Sequence, residues 1–453
     1  MLEILLTAAI AGTVFWLSAR GHAPGRFAHL SKGLGREHVA LTLIILASHS
    51  RVARAGAEDT LSNPFTIEVV LRGVFVLAAI AILLPAARNT IRLASTIRRS
   101  WWGIGSLVVY AASATLSVLY SPALLQTAGK ALEFASLVLL VWHLASRRDA
   151  ADALARTLYA VIAIELALLA ASAIGFFAAP GLFAPVLTRP GFFFQATLEG
   201  PLGSANDTSS TGGTMVAIAA AAWLSKTKDN RSYIWPLMAA VGLVAVALSS
   251  GRQGVAIMVA AVALAVWATN RQGFYLMLVP ALTAAVLFAG SAILEILLRD
   301  QVAGSVRTLT GRTKFWEAAI DAFAAQPLTG YGFGSSRFAV LANIDSDRFT
   351  HLHNGYLESL VGVGLLGFIP FMVMVVVAAA WAIRCFRTGR HVALAVIVPA
   401  LLAQTLIAQG IGGWLNTNLV LFSLLVALAD VHRTAPGSGR LLYERDGATF
   451  SRR

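Results

Sequence analysis

Long apolar stretches alternate with short polar connections along most of the chain. The runs are about 17–25 residues long, enough to cross roughly 30 Å of hydrocarbon at about 1.5 Å per residue. About thirteen can be drawn: 2–18, 38–48, 68–86, 101–119, 130–145, 153–178, 209–225, 233–249, 252–269, 273–297, 355–384, 392–410 and 412–430. The run 38–48 is short for a complete crossing. The first run lacks a basic leading region and a small-residue cleavage site, so it reads as a retained span and not as a signal peptide. This pattern predicts an all-α polytopic membrane protein of about 12–13 transmembrane helices. With no internal repeat or low-complexity linker, residues 1–453 form a single integral membrane domain.

Composition agrees. Hydrophobic residues make up 57% of the 453 and charged residues only 13%, more apolar surface than one soluble core could hide. Cys385 is the sole cysteine, which rules out an intrachain disulfide and cysteine-ligated zinc. The net charge of +13 sits in short connections: Arg88, Arg92, Arg98 and Arg99 in one, Arg147 and Arg148 in another, Lys226, Lys228 and Arg231 in a third, Arg271 in a fourth, and Arg384, Arg387 and Arg390 in a fifth. If every run crosses, all five fall on one side. The positive-inside rule makes that side the cytoplasm, with the N-terminus outside and the C-terminus inside. A basic charge split among membrane loops also argues against nucleic-acid binding.

The opposite connections are then external: 49–67, 120–129, 179–208, 249–251 and 298–353. The last is a large periplasmic loop. Within it, residues 313–325 carry apolar side chains at helical spacing over too short a length to cross, and Gln326-Pro327 follows. They predict an amphipathic helix lying on the outer face. Next comes Gly330-Tyr331-Gly332-Phe333-Gly334, expected to be a flexible turn whose backbone approaches a ligand. No Gly-Lys-Ser/Thr follows it, which excludes a P-loop. The loop ends at His353-Asn354, nine residues before Gly364-Leu365-Leu366-Gly367. A titratable imidazole where a loop meets an apolar run is costly to place and suited to proton transfer.

His353-Asn354-x9-Gly-x-x-Gly, preceded by Gly311-Arg312-x3-Trp316, Pro327 and Gly330-Tyr-Gly, resembles the O-antigen ligase superfamily, which also contains O-antigen and exopolysaccharide polymerases. The region corresponding to its core is about residues 205–370. Arg252 in Ser249-Ser250-Gly251-Arg252 is similar in position to the family's Ser-x-Arg-like element, with one departure in context. The resemblance implies a helical fold of the GT-C glycosyltransferase kind with a periplasmic helical cap, in the bacterial inner membrane. It also implies transfer of a glycan from undecaprenyl pyrophosphate to an acceptor hydroxyl on the periplasmic face.

The residues suit that chemistry. Displacing pyrophosphate from an anomeric carbon needs a base for the acceptor proton and cations for the departing charge. His353 is the candidate base, placed where a helix dipole disfavours the protonated imidazole. His351, two residues earlier, is the alternative or a lining group. Arg252 and Arg312 are candidate pyrophosphate ligands through paired donors, against simple anchoring to headgroups. Arg337 is a third phosphate contact or a solvated charge. Asn206 and Asn354 are candidate lining residues, and Gly364 and Gly367 are expected to share one helix face for close packing. Asp345 and Asp347 lack the company of a hard-cation cage, so a metal-independent transferase without cofactor is expected. The acceptor is lipid A-core for a ligase, with a repeat-unit polymerase as the alternative and a transporter as a rival class. The ligase is preferred on the His-Asn spacing.

Overall fold

The computed structural model describes residues 36–49, 67–93, 102–183, 197–198, 204–225, 233–249, 251–268, 312–340, 352–408 and 410–434. The regular structure among them is helical: α1 Arg36–His49, α2 Ile67–Leu93, α3 Trp102–Leu116 with a 3-10 turn Ser117–Leu119, α4 Leu124–Ala145, α5 Ala150–Ala178, α6 Ala205–Leu224, α7 Ile234–Ser249 and α8 Arg252–Ala268. After these come α9 Arg312–Ala325, α10 Ser336–Val340, α11 Gly355–Thr388, α12 Val392–Ala395, α13 Ile397–Ile407 and α14 Thr417–Thr434. The runs 2–18 and 273–297, His351, Asp345 and Asp347 lie outside the described residues.

Among the described residues, four segments are long and apolar enough to cross a membrane: Trp102–Leu119, Leu124–Ala145, Ala150–Ala178 and Gly355–Thr388. Shorter apolar helices cover Val69–Pro85, Ile234–Ser249, Arg252–Leu264 and Val392–Leu406. The chain is therefore read as a polytopic membrane protein. The run 38–48 forms α1, whose 14 residues reach about 21 Å. Its Ala40, Leu41, Ile44 and Ile45 are wholly buried, and it packs on α2 and α4 inside the bundle.

Hydrogen bonds between connections show that the helices alternate in direction. At one end the Phe333 N–H donates to the Ser117 hydroxyl (2.9 Å), the Tyr120 hydroxyl to the Thr329 carbonyl (2.7 Å), and the Gly355 N–H to the Ala408 carbonyl (2.9 Å). These bonds gather the connections after α3, before α10, before α11 and after α13. At the other end the Ile104 N–H donates to Asp430 Oδ2 (2.8 Å) and Trp381 Nε1–H to His432 Nδ1 (3.2 Å). There too Arg147 pairs with Glu37 and Asp149, and Arg156 with Asp149.

Close helix approach rests on small residues. A Cβ on Gly212 of α6 would lie 2.8 Å from the Gly242 carbonyl oxygen of α7, and one on Gly213 would lie 2.3 Å from that of Gly254 of α8. The Ser209-Ser210-Thr211-Gly212-Gly213 stripe thus seats α6 between two partners, as small residues do in apolar helix pairs. The Ser209 hydroxyl also donates to the Gly251 carbonyl (2.6 Å), fixing the turn that starts α8.

Gly364 does not share a continuous helical face with Gly367. Its φ of 58° and ψ of −166° break α11, which resumes beyond it. The expected ligand-facing turn 330–334 is what fills the break. The Tyr331 and Gly332 N–H groups donate to the Val361 and Gly362 carbonyls (3.0 and 2.7 Å), while the Leu365 and Leu366 N–H groups donate to the Pro327 and Leu328 carbonyls (2.8 and 3.1 Å). The broken helix and the loop thus satisfy each other's backbone groups, the condition for irregular backbone inside an apolar bundle. Only glycine fits at the crossing, since a Cβ on Gly364 would sit 2.3 Å from the Leu328 carbonyl oxygen and one on Gly330 would sit 2.4 Å from that of Val361.

Phe333 plugs the same loop into the bundle. It stacks on Phe134 (5.7 Å between centroids) and meets Tyr110 edge-on (5.9 Å), and Tyr110 contacts Phe371 at 5.5 Å. Helices α3 and α4 therefore hold one loop side chain directly, and α11 backs it through the Tyr110–Phe371 contact.

Candidate active site

The site is built where α11 begins. Asn354 is its N-cap: its side-chain oxygen accepts the Tyr356 and Leu357 N–H groups at 3.0 and 3.1 Å, so that oxygen is committed to the helix. His353, just before it, is half-buried and holds a left-handed backbone with φ of 53°. That conformation is uncommon for a residue with a side chain.

Two side chains fix the segment leading into His353. The Leu352 N–H donates to Glu358 Oε2 (3.3 Å), and the Leu352 carbonyl accepts Trp316 Nε1–H (3.0 Å). Glu358 also accepts the Ser336 hydroxyl at Oε1. One buried carboxylate therefore ties the turn carrying His353 to the helix carrying Arg337. Lys130 of α4 completes the cluster: its ammonium donates to the Gly334 carbonyl (2.8 Å), lies 4.4 Å above the Trp414 ring, and interacts electrostatically with Glu358 and Glu133. Glu133 is in turn paired with Arg72 (2.5 Å), whose guanidinium also donates to the Leu415 carbonyl (3.2 Å).

The predicted cations divide between two groups of elements. Arg337 follows Ser336 on α10, its guanidinium carbon 4.7 Å from the Phe338 ring centre and within electrostatic reach of Glu358. Arg312 opens α9, the helix that carries Trp316 one turn later, and α9 packs on α11. Burial pulls both guanidinium groups below their ordinary range, with Glu358 opposing the shift at Arg337. His353, Asn354, Arg312 and Arg337 are thus carried by elements bonded to one another. Arg252 stands apart from them at the start of α8, which packs on α6, α13 and α11. Asn206 is exposed in the first turn of α6, beside the Ser204–Asp207 capping box. Asp207 is occupied by that box, accepting from the Ser204 N–H and hydroxyl.

Sequence reasoning missed Glu358, Lys130, Ser336 and the role of Trp316. A carboxylate at the fourth position of the longest apolar run, 355–384, was a readable signal, because ionised groups at membrane depth are costly without a partner. Lys130, the first residue of another run, was the matching one.

Residues 202–372 match the family model described as O-Antigen ligase. The match takes in Asn206, Arg252, Arg312, Arg337, His353 and the break at Gly364. An exopolysaccharide production protein, ExoQ of Rhizobium meliloti (strain 1021), is 38% identical over 85 residues, covering 17% of this chain and 19% of that protein. The chain therefore matches about a fifth of that relative's length.

Proposed function

We propose, for a chain that carries an O-antigen ligase family domain over residues 202–372, the transfer of a glycan from undecaprenyl pyrophosphate to an acceptor hydroxyl at the periplasmic face of the bacterial inner membrane. The family covers O-antigen ligases and polymerases, and its members transfer lipid-linked glycans. The observation that carries the reading is the tying of Arg312, Arg337 and His353 to one another through Trp316, Leu352, Ser336 and Glu358.

In this reading the acceptor hydroxyl loses its proton to the His353 imidazole as its oxygen attacks the anomeric carbon. The anomeric carbon–oxygen bond breaks, and undecaprenyl pyrophosphate leaves with the electron pair. Arg312 and Arg337 hold its oxygens through paired N–H donors, and Arg252 does so from the start of α8. Asn206 lines the donor approach. The protein needs no metal or cofactor, because the guanidinium groups supply the charge a divalent cation would. Helix α9 forms part of a cap over a GT-C-like bundle, and its apolar face borders the path of a lipid-linked acceptor.

The preferred acceptor is lipid A-core, making the protein a ligase. Repeat-unit polymerisation is the second reading, favoured by the match to a protein named for exopolysaccharide production. The deciding experiment is His353→Ala in the full-length protein: glycan transfer should fall to background while yield and membrane insertion stay at wild-type levels. Wild-type transfer by that variant would overturn the assignment of the base, and activity lost only in His351→Ala would move it by two residues. Gene deletion separates the two products. A ligase leaves lipid A-core uncapped while long polyprenyl-linked glycan accumulates, whereas a polymerase leaves single repeat units on the carrier.

A further inference from the structure

We infer that Trp316 and Glu358 are positioning residues that hold the His353 imidazole in its reactive orientation by gripping the peptide groups on either side of Leu352. The inference rests on His353 being the base of the proposed reaction.

The geometry supplies the reason. A left-handed backbone conformation is costly for a residue with a side chain and persists only where its surroundings over-determine it. If the turn served chain reversal alone, glycine or asparagine would take position 353 at lower cost. Around His353 the backbone is fixed from three directions. Glu358 holds the Leu352 N–H, Trp316 holds the Leu352 carbonyl, and Asn354 holds the first two free N–H groups of α11. With the backbone fixed on both sides, the imidazole has little left to vary except its own side-chain torsions.

The chemistry of the two grips points the same way. Glu358 is 2% exposed, and a carboxylate there is expensive unless its bonds serve something a hydrocarbon could not. Its two oxygens reach the segment before His353 and the residue before Arg337, so base and cation are spaced by a single group. Trp316 is partly buried, and its ring nitrogen spends its one proton on the Leu352 carbonyl, coupling the helix of Arg312 to the same turn. A displacement of the base by about 1 Å is enough to cost up to 100-fold in rate.

The test uses Trp316→Phe, which keeps an aromatic ring and removes only the N–H, and Glu358→Gln, which keeps the shape and one acceptor oxygen. Both are made in the full-length protein in lipid nanodiscs, alone and combined with His353→Ala. The readout is consumption of undecaprenyl pyrophosphate-linked glycan, followed long enough to measure the residual rate of the slow variants. Trp316→Phe should lower kcat about tenfold with the donor KM within about twofold. The double variant Trp316→Phe/His353→Ala should be no slower than His353→Ala alone, because a positioned base that is absent has nothing left to lose. Glu358→Gln should show the same non-additivity with a smaller single effect. Wild-type kcat in Trp316→Phe, or a further multiplied loss in the double variant, overturns the positioning role while leaving the base assignment standing. Wild-type turnover in His353→Ala overturns the base itself.

Discussion

Arg312 and Arg337 are held in partly buried positions that lower the affinity of each guanidinium for its proton, yet a guanidinium starts so far above neutrality that it stays charged. A lysine at either place has no such reserve and presents a single point of charge instead of a planar fork. Arg312→Lys and Arg337→Lys should each lower kcat/KM for the donor by about tenfold or more, measured as donor consumption at fixed acceptor. Equal activity with lysine at both would reduce these residues to general positive charge. At this scale the sequence drew attention to His353 and Arg252 because they stand at the edges of the apolar runs 355–384 and 252–269, and to Arg312 because it directly precedes the amphipathic stretch 313–325. Glu358 and Lys130 were not legible as a pair, because what makes them affordable is a partner far along the chain. Lys130 finds the Gly334 carbonyl and Glu358 finds Ser336 and the Leu352 N–H, contacts that no local spacing encodes.

Helix α11 carries the sharpest test of an element. With φ of 58° and ψ of −166°, Gly364 occupies a region essentially restricted to glycine, and the space beside it is filled by Leu328 and Thr329 backbone. Gly364→Ala should cost at least about 3 kcal/mol of stability or prevent purification of folded protein. Gly389→Ala, also at positive φ (66°) but with open space around it, should cost about 1 kcal/mol, a contrast readable as melting temperatures in detergent. At the opposite end of the bundle, hydrogen bonds from Arg147 and then Arg156 hold the Asp149 carboxylate down to about 2. A depressed carboxylate stabilises the fold above its unfolded value near 3.9 and loses that contribution as pH falls toward 2. Because Asp149 is substantially exposed, Asp149→Asn should cost no more than about 1 kcal/mol at pH 7, leave donor consumption unchanged, and differ from wild type progressively less as pH falls through about 2. Apolar run lengths made α3, α4, α5 and α11 legible, since hydrocarbon thickness sets span length directly. The break in α11 was not, because its cause is the backbone of 327–332 and not the sequence of the helix.

For the whole molecule, the alternation of helix ends makes sidedness a single question. The sole cysteine, Cys385, is buried, so new cysteines can be read almost without background. Leu328 and Arg390 are exposed at opposite ends. A membrane-impermeant maleimide should label Leu328→Cys from the periplasm and Arg390→Cys only after the inner membrane is opened, and the reverse pattern would invert the topology. The interlock between α11 and residues 327–332 also bears on how the protein is made. Until that loop is present, a span with a break at Gly364 would leave the Val361 and Gly362 carbonyls and the Leu365 and Leu366 N–H groups facing lipid. The loop precedes the span in the chain, so during synthesis it is already made when α11 arrives. Moving the loop behind its helix by circular permutation would reverse that order, and the helix would enter the bilayer straight, with the turn that bears His353 turned away from its partners.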